Sequence, residues 1–211
     1  TVLSANVEDL WLTGTANLSG IGNLRDNILV GNTGANALTG VTGDDYLAGF
    51  GGNDVLWGGV GGDTLEGSTG IDTALYIGSS AAVAVDLAAD TASGGAADGD
   101  TLTGIENLVG SAHADTLTGD SAANILTGGA GGDAMTGGGG IDTASYASAA
   151  AGVTAALDGT LVASGDAAGD TFAEIENLTG SHSADTLRGD SLDNRLTGIG
   201  YAKTAYDSDG Q

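Results

Sequence analysis

Carboxylate and amide side chains that recur every nine residues are the groups in this sequence best suited to chemistry. They form three blocks: Asn27, Asn36, Asp45, Asp54, Asp63 and Asp72; Asp115, Asn124, Asp133 and Asp142; and Asp185 and Asn194. Oxygen ligands in this number suit Ca²⁺, which takes roughly six to eight oxygens in flexible geometry, better than Mg²⁺, which demands an octahedron. Softer metals prefer Cys or His, and the sequence has no Cys and only two His.

Each of these residues has a glycine five positions before it and an apolar residue, usually Leu, two positions after it. In the repeat that starts at Gly58, residues 58–63 are turn material, and Thr64, Leu65 and Glu66 form a short strand with Leu65 pointing inward. A fixed period of this kind indicates a solenoid, in which two repeats make one coil and successive coils pair as parallel strands. The predicted fold class is therefore all-β, a parallel β-roll or β-solenoid.

Stacked coils bring together loops that are two repeats apart. Ionised carboxylates at close range repel one another, so a divalent cation between such loops is expected to be needed for folding. The pairs predicted to bind strongly are Asp45 with Asp63, Asp54 with Asp72, and Asp115 with Asp133. Asn supplies an oxygen without a charge, so the pairs Asn27/Asp45, Asn36/Asp54 and Asn124/Asp142 are expected to be weaker or empty. The third block has loops on opposite sides and is not expected to complete a site by itself.

The sequence also has a longer period of 70 residues. Residues 71–74 recur at 141–144, and residues 105–108 recur at 175–178. The sequence predicts one continuous elongated roll over residues 1–200, with blocks 22–75, 110–145 and 180–200 joined by β-rich connectors 76–109 and 146–179, and a non-repeat tail at 201–211. In the connectors, Asp100 and Asp170 are either additional ligands or solvated turn acids. Glu106 and Glu176 are interpreted as hydrogen-bond acceptors at a bend rather than catalytic acids.

Composition excludes several classes of function. Acidic residues outnumber basic ones 28 to 4, for a formal charge of -24, so the chain lacks the cations that bind nucleic acid and is repelled by anionic membrane surfaces. No apolar run approaches the roughly 18 residues of a membrane span. His113 and His182 lie near Ser111 and Ser181, but both occur at equivalent points of the repeat, which points to repeat copying. No enzyme activity is expected.

The segments 58–66 (GGVGGDTLE) and 128–136 (GGAGGDAMT) resemble the calcium-binding nonapeptide of RTX proteins. The resemblance implies a parallel β-roll that binds several Ca²⁺ ions and folds outside the bacterial cell, after export by a type I secretion machine. It covers about half of the chain. The chain begins at Thr1, which suggests a fragment or a processed product.

Three functions are compatible with these features. The first is a calcium-dependent structural module of a secreted or surface protein, such as a surface layer, an adhesin or an extracellular fibre. Such a module would self-associate through the solenoid ends or through the outward apolar face of Val55, Trp57 and Leu75, although a connector folded over that face is an equal alternative. The second is the C-terminal calcium-binding domain of a secreted hydrolase or polysaccharide-modifying enzyme. The third is direct carbohydrate binding.

Overall fold

The structure, a computed structural model, describes residues 1–200 and the strand Thr204–Tyr206; the rest of the predicted tail lies outside the described residues. The chain forms short strands separated by turns. The strands are β1 Asp9–Trp11, β2 Ser19–Ile21, β3 Ile28–Val30, β4 Ala37–Thr42, β5 Tyr46–Ala48, β6 Val55–Val60, β7 Thr64–Glu66, β8 Thr73–Leu75, β9 Ala84–Asp86, β10 Thr91–Ser93, β11 Thr101–Thr103, β12 Asn107–Val109, β13 Thr116–Thr118, β14 Ile125–Thr127, β15 Ala134–Thr136, β16 Thr143–Ser145, β17 Thr154–Ala156, β18 Thr171–Ala173, β19 Asn177–Thr179, β20 Thr186–Arg188, β21 Arg195–Thr197 and β22 Thr204–Tyr206. Short 3₁₀ turns lie at Gly95–Ala97 and Gly165–Ala167.

Almost all strand pairs are parallel, and each joins strands of neighbouring coils. One nine-stranded sheet has the order β2-β4-β6-β8-β12-β14-β16-β19-β21. The remaining strands form successive sheets with the orders β1-β3-β5-β7-β11, β10-β9-β13-β15-β18 and β17-β20-β22. In the first block, successive strands alternate between the nine-stranded sheet and the first of these sheets. The prediction of an all-β parallel β-roll is confirmed.

The leucines of the repeat form the core. Leu29 pairs with Leu47 in one sheet and Leu38 with Leu56 in the other, and each of these side chains is at most 1% exposed. They belong to a single cluster of buried apolar residues that continues into the second block. Each fully buried leucine stabilises the fold by about 1.5–3 kcal/mol, but the core is only one residue deep on each side.

The connectors also join the roll. β11 pairs with β7 and β12 with β8, while β10 adds to β9 in the one antiparallel strand pair of the described chain. Six-residue repeat segments separate the leucine-containing triplets, although β4 and β6 continue through the first three residues of segments 40–45 and 58–63. At the connectors, β11 and β12 are joined by residues 104–106 alone, and β18 and β19 by residues 174–176. Near the C-terminus, β22 pairs with β20, so the series of coils extends past the predicted boundary at residue 200.

The outward face of Val55, Trp57 and Leu75 is half-buried. The indole of Trp57 contacts the connector, since a Cβ built on Gly78 would lie 2.8 Å from Trp57 Cζ2. The connector therefore covers part of this face. Within the described residues, no helix has the length and apolar character that a membrane crossing requires.

Candidate metal centre

Aspartate carboxylates hydrogen-bond the backbone of the preceding coil. Asp63 Oδ1 accepts from the N–H of Asp45 at 2.8 Å, and Asp45 Oδ1 accepts from the N–H of Asn27 at 2.7 Å. On the side of the nine-stranded sheet, Asp72 Oδ1 accepts from the N–H of Asp54 at 2.7 Å. These bonds form two ladders that hold each loop directly above the one before it.

The second carboxylate oxygen of most of these residues is buried and has no hydrogen-bond partner among the described residues. These oxygens are Oδ2 of Asp45, Asp54, Asp63, Asp72, Asp133, Asp142 and Asp185. An ionised oxygen that is buried without a partner costs several kcal/mol. A row of them requires a compensating positive charge.

The first glycine of each loop leaves the space into which these oxygens point. A Cβ built on Gly40 would overlap both Asp45 Oδ2 and the carbonyl oxygen of Gly58, which lies one coil further on. Gly58 stands in the same relation to Asp63 Oδ2. A carboxylate and a carbonyl oxygen therefore converge at Gly40, and both are ligands that Ca²⁺ accepts.

Apart from Asp185, each of these oxygens belongs to a loop with left-handed backbone at its second and fourth positions. We call these the open loops; they are residues 40–45, 49–54, 58–63, 67–72, 128–133 and 137–142. The fourth position is always Gly, whereas the second is sometimes a larger residue, with φ of 98° at Val41 and 78° at Phe50. Positive φ is unusual for a β-branched residue, so the loop imposes this conformation on Val41.

The loops that end in Asn bond to themselves instead. Asn124 Oδ1 accepts from the N–H of Asp120 at 2.8 Å, and its Nδ2 donates to Asp120 Oδ1 at 3.3 Å and to the carbonyl oxygen of Glu106 at 2.8 Å. In these loops the amide NH₂ supplies the positive hydrogen atoms that bridge the oxygens. The same bonds to the residue four positions earlier recur in the loops that end at Asn27, Asn36 and Asn194.

In two loops that end in Asp, a serine at the second position hydrogen-bonds the aspartate in a similar way. Ser111 donates its N–H to Asp115 Oδ2 at 2.5 Å and its hydroxyl to Asp115 Oδ1 at 2.9 Å, and the N–H of Val83 also bonds Oδ1 at 2.8 Å. The hydroxyl of Ser181 donates to Asp185 Oδ1 at 2.7 Å. The predicted strong pair of Asp115 with Asp133 therefore differs from the other two, because the carboxylate of Asp115 already has protein donors on both oxygens.

We call the loops with these internal bonds the closed loops; they are residues 22–27, 31–36, 110–115, 119–124, 180–185 and 189–194. The residue at the second position distinguishes the two kinds of loop. It is Asn, Asp or Ser with a hydrogen bond to the sixth residue in the closed loops. In the open loops the sixth residue receives no such bond.

Tyrosine side chains meet the connector aspartates at one end of each ladder. Asp100 Oδ1 accepts from the N–H of Asp63 at 2.8 Å, and Asp100 Oδ2 accepts from the buried hydroxyl of Tyr76 at 3.0 Å. Asp170 is bound in the same way by the N–H of Asp133 and by Tyr146. Each carboxylate thus has a protein donor on both oxygens. Their use as calcium ligands stays a prediction.

On the side of the nine-stranded sheet, glutamates continue the ladder through the short corners. Glu106 Oε2 accepts from the N–H of Asp72 at 2.7 Å, and Glu176 Oε2 accepts from the N–H of Asp142 at 2.8 Å. Both glutamates act as hydrogen-bond acceptors at a bend, as the sequence indicated.

Burial makes the ionised form of these carboxylates unfavourable in the protein alone. Desolvation raises the pKa of Asp45, Asp100 and Asp133 to about 7 and that of Asp54 to about 6, and neighbouring carboxylates add to the effect. Backbone N–H donors oppose it only in part. A bound divalent cation favours the ionised form and so reverses these shifts.

The histidines do not form a catalytic site. Both are exposed, and the hydroxyls of Ser111 and Ser181 donate to Asp115 and Asp185 rather than to a histidine. His182 Nδ1 lies 3.3 Å from the carbonyl oxygen of Ala147.

The donor set fits Ca²⁺. The described residues contain no cluster of three or more His, Cys, Asp or Glu side chains placed to hold a metal ion, so a site built here must combine one or two carboxylates with backbone carbonyls. The convergence of Asp45 Oδ2 and Gly58 O at Gly40 has this composition. Fold and site together define a parallel β-roll whose turns bind hard divalent cations.

Comparison with known families agrees. The model of the RTX calcium-binding nonapeptide repeat matches residues 21–56, 30–65, 39–74 and 109–144, and these segments contain all of the open loops. The chain therefore contains RTX repeats in these segments, and repeats of this kind bind Ca²⁺. A comparison with curated proteins found no match.

Proposed function

We propose that this chain is a calcium-dependent folding and assembly module of a secreted or cell-surface bacterial protein. RTX repeats are typical of extracellular proteins exported by type I secretion. The module carries out no chemistry of its own. Calcium binding supplies the free energy that lets the glycine-rich chain wind into a roll.

The observation that carries this proposal is the row of buried carboxylate oxygens without protein partners. With a formal charge of -24 and a core one leucine deep, the chain has little to offset the repulsion between its loops. Because the binding site exists only in the folded chain, ion binding energy becomes folding energy. A chain that is unfolded at the low calcium concentration of the cytosol and folded at millimolar calcium outside suits export followed by folding.

Calcium titration followed by far-UV circular dichroism tests the proposal. Protein stripped of metal should give a coil-like spectrum, and millimolar CaCl₂ should convert it cooperatively to a β spectrum. MgCl₂ at the same concentration is the control and should not replace calcium. A β spectrum that survives EGTA unchanged would refute the proposal.

The assembly role is the finer part of the proposal, and the edge strand β1 supports it. β1 is the outermost strand of its sheet, and its last residue, Trp11, has a side chain that is 64% exposed. Unpaired strand edges are templates for pairing with a second chain. The face of Val55, Trp57 and Leu75 is a weaker candidate because the connector covers part of it.

Sedimentation velocity in millimolar calcium, over a range of protein concentrations, tests assembly. Self-association that is weakened by Trp11→Lys but not by Val162→Lys, at a distant residue that is 92% exposed, supports the ends as the interface. A strictly monomeric protein at all concentrations would leave the second candidate role, a calcium-binding domain attached to a secreted enzyme, as the better one.

A further inference from the structure

We infer that the two short corners of the roll complete additional calcium sites, in which a connector glutamate replaces the aspartate of a repeat. One site lies between loop 67–72 and corner 104–106, and the other between loop 137–142 and corner 174–176. Neither corner contains the nonapeptide, and neither lies within the segments that match the RTX repeat model. This inference rests on the proposed calcium-dependent folding.

The first corner reproduces an oxygen arrangement found at the first glycine of both open and closed loops, and here the Asp72 oxygen has no protein partner. A Cβ built on Gly67 would lie 2.6 Å from Asp72 Oδ2 and would overlap the carbonyl oxygen of Gly104. At Gly40 the same two kinds of oxygen converge, from Asp45 and Gly58. Gly104 therefore occupies the place that the first glycine of the next loop takes elsewhere.

Glu106 occupies the place of the aspartate at the end of that loop. Its Oε2 accepts from the N–H of Asp72, as an aspartate Oδ1 does in the ladder. The corner has three residues where a repeat loop has six, and the extra methylene of Glu compensates for the shorter backbone. Unlike the buried Oδ2 oxygens of the open loops, the carboxylate of Glu106 is half-buried, and it also accepts a hydrogen bond from its own backbone N–H.

The second corner gives independent support. The side chain of Asp142 is fully buried, and its Oδ2 has no partner among the described residues. The loop in the preceding coil is 119–124, which is closed by its own Asn124. The corner in the following coil supplies the carboxylate of Glu176, and the carbonyl oxygen of Glu174 overlaps a Cβ built on Gly137. A cation at this corner accounts for the buried oxygen of Asp142.

The ladder on the opposite side of the roll ends at the connector aspartates Asp100 and Asp170, where protein donors alone satisfy the carboxylate. There the hydroxyl of Tyr76 or Tyr146 donates to the second oxygen of the connector aspartate. Neither corner glutamate has such a donor. The two ladders thus end differently, one with a tyrosine hydroxyl on the connector carboxylate and the other with a half-buried glutamate that has no tyrosine beside it and stacks on an aspartate whose Oδ2 has no partner.

Counting bound calcium tests the inference. Glu106→Gln and Glu176→Gln keep the shape of the side chain and an acceptor for the N–H of the ladder, but they remove the charge. Equilibrium dialysis of metal-stripped protein against CaCl₂ should show one ion fewer in each single variant and two fewer in the double variant. Asp90→Asn is the matched control, because it removes one charge at an exposed turn where φ is 53°, a conformation that Asn tolerates as well as Asp.

The ion count separates a ligand from a purely structural acceptor, because the Gln side chain still accepts the ladder hydrogen bond. An unchanged count and affinity in both Gln variants, with wild-type protein that folds in calcium, would overturn this inference and leave the proposed function intact. Wild-type protein that binds no calcium would instead refute the proposed function itself. Circular dichroism in saturating calcium accompanies each measurement, and the second corner provides the readout if Glu106→Gln does not fold.

Discussion

Replacing Asp63 with Asn separates the two roles of a ladder carboxylate. Asn keeps the oxygen that accepts the N–H of Asp45, but it puts an NH₂ group where the buried, unpartnered Oδ2 lies. Loss of one interaction with a charged partner costs about 1.5–3 kcal/mol. At about 1.4 kcal/mol per factor of ten, the combined calcium-binding constant should fall roughly 10- to 100-fold, and the calcium concentration at half-folding should rise by a smaller factor because several ions share the change.

The assay is a calcium titration of Asp63→Asn, wild type and Asn27→Ala, followed by circular dichroism and by the number of ions bound. Asn27 lies in a closed loop and bonds to Asn23, so its replacement should cost about 0.5–1.5 kcal/mol through neutral hydrogen bonds and should remove no ion. If Asp63→Asn binds as many ions as wild type with the same midpoint, the unpartnered oxygens are not calcium ligands and the account of the open loops fails.

Three further predictions concern the loops, the ladder ends and pH. Gly40→Ala should abolish calcium-induced folding in the dichroism titration, because the new Cβ would overlap Asp45 Oδ2 and the carbonyl oxygen of Gly58; Gly51→Ala, whose nearest atom would be 3.2 Å away, should fold. Tyr76→Phe should lower the free energy of urea unfolding in saturating calcium by about 1–3 kcal/mol, because it leaves a buried oxygen of Asp100 without its donor, and an unchanged value would contradict this. In the folded, metal-free protein the pKa of Asp45 is raised to about 7, whereas its ordinary value is 3.8. At a pH between these two values, the folded protein therefore binds a proton at Asp45 that the unfolded chain does not bind. Its stability should therefore rise as pH falls through about 7 toward about 4, and metal-stripped protein whose β signal does not increase over that range would show that the burial of ionised carboxylates is not what calcium offsets.

The nine-residue period was sufficient to predict the roll and its core. Because the side-chain direction alternates along a strand, a leucine two positions after each Asp or Asn had to point inward, and Leu29, Leu47 and Leu65 are 0% exposed. The spacing of two repeats between stacked loops also followed from the period. The ladder bonds of Asp45 and Asp63 join residues 18 positions apart, as this spacing requires.

The distinction between open and closed loops was only partly visible in the sequence. The exchange of Asp for Asn indicated weaker sites, but the sequence alone did not show that Asn124 bonds to the side chain of Asp120. The same is true of the bond between Ser111 and Asp115; the pair of Asp115 with Asp133 was predicted to bind strongly. The signal was present at the second position of the loop, where an Asn, Asp or Ser can hydrogen-bond neighbouring backbone and side chains.

The connectors were the least predictable part because they break the period. The long repeat of 70 residues already contained the pairs Tyr76 with Asp100 and Tyr146 with Asp170, each 24 positions apart. A contact at that separation depends on how the connector folds back, which no local pattern specifies. The replacement of a six-residue loop by a three-residue corner likewise became visible only from the strand pairs on either side of it.

The open and closed loops differ in the positive group that lies between their oxygen atoms. In every loop, oxygens of the sixth side chain and of backbone carbonyls face each other and need positive partners between them. Apart from Oδ2 of Asp185, which has no partner, a closed loop obtains these from donors of its own chain, so its geometry depends less on bound ions. An open loop obtains them from a cation, so it is stable only where calcium is abundant. Because each pair of adjacent open loops in the first block follows a closed loop in the coil before it, 22–27 on one side and 31–36 on the other, the calcium-independent loops provide fixed surfaces on which the calcium-dependent ones stack.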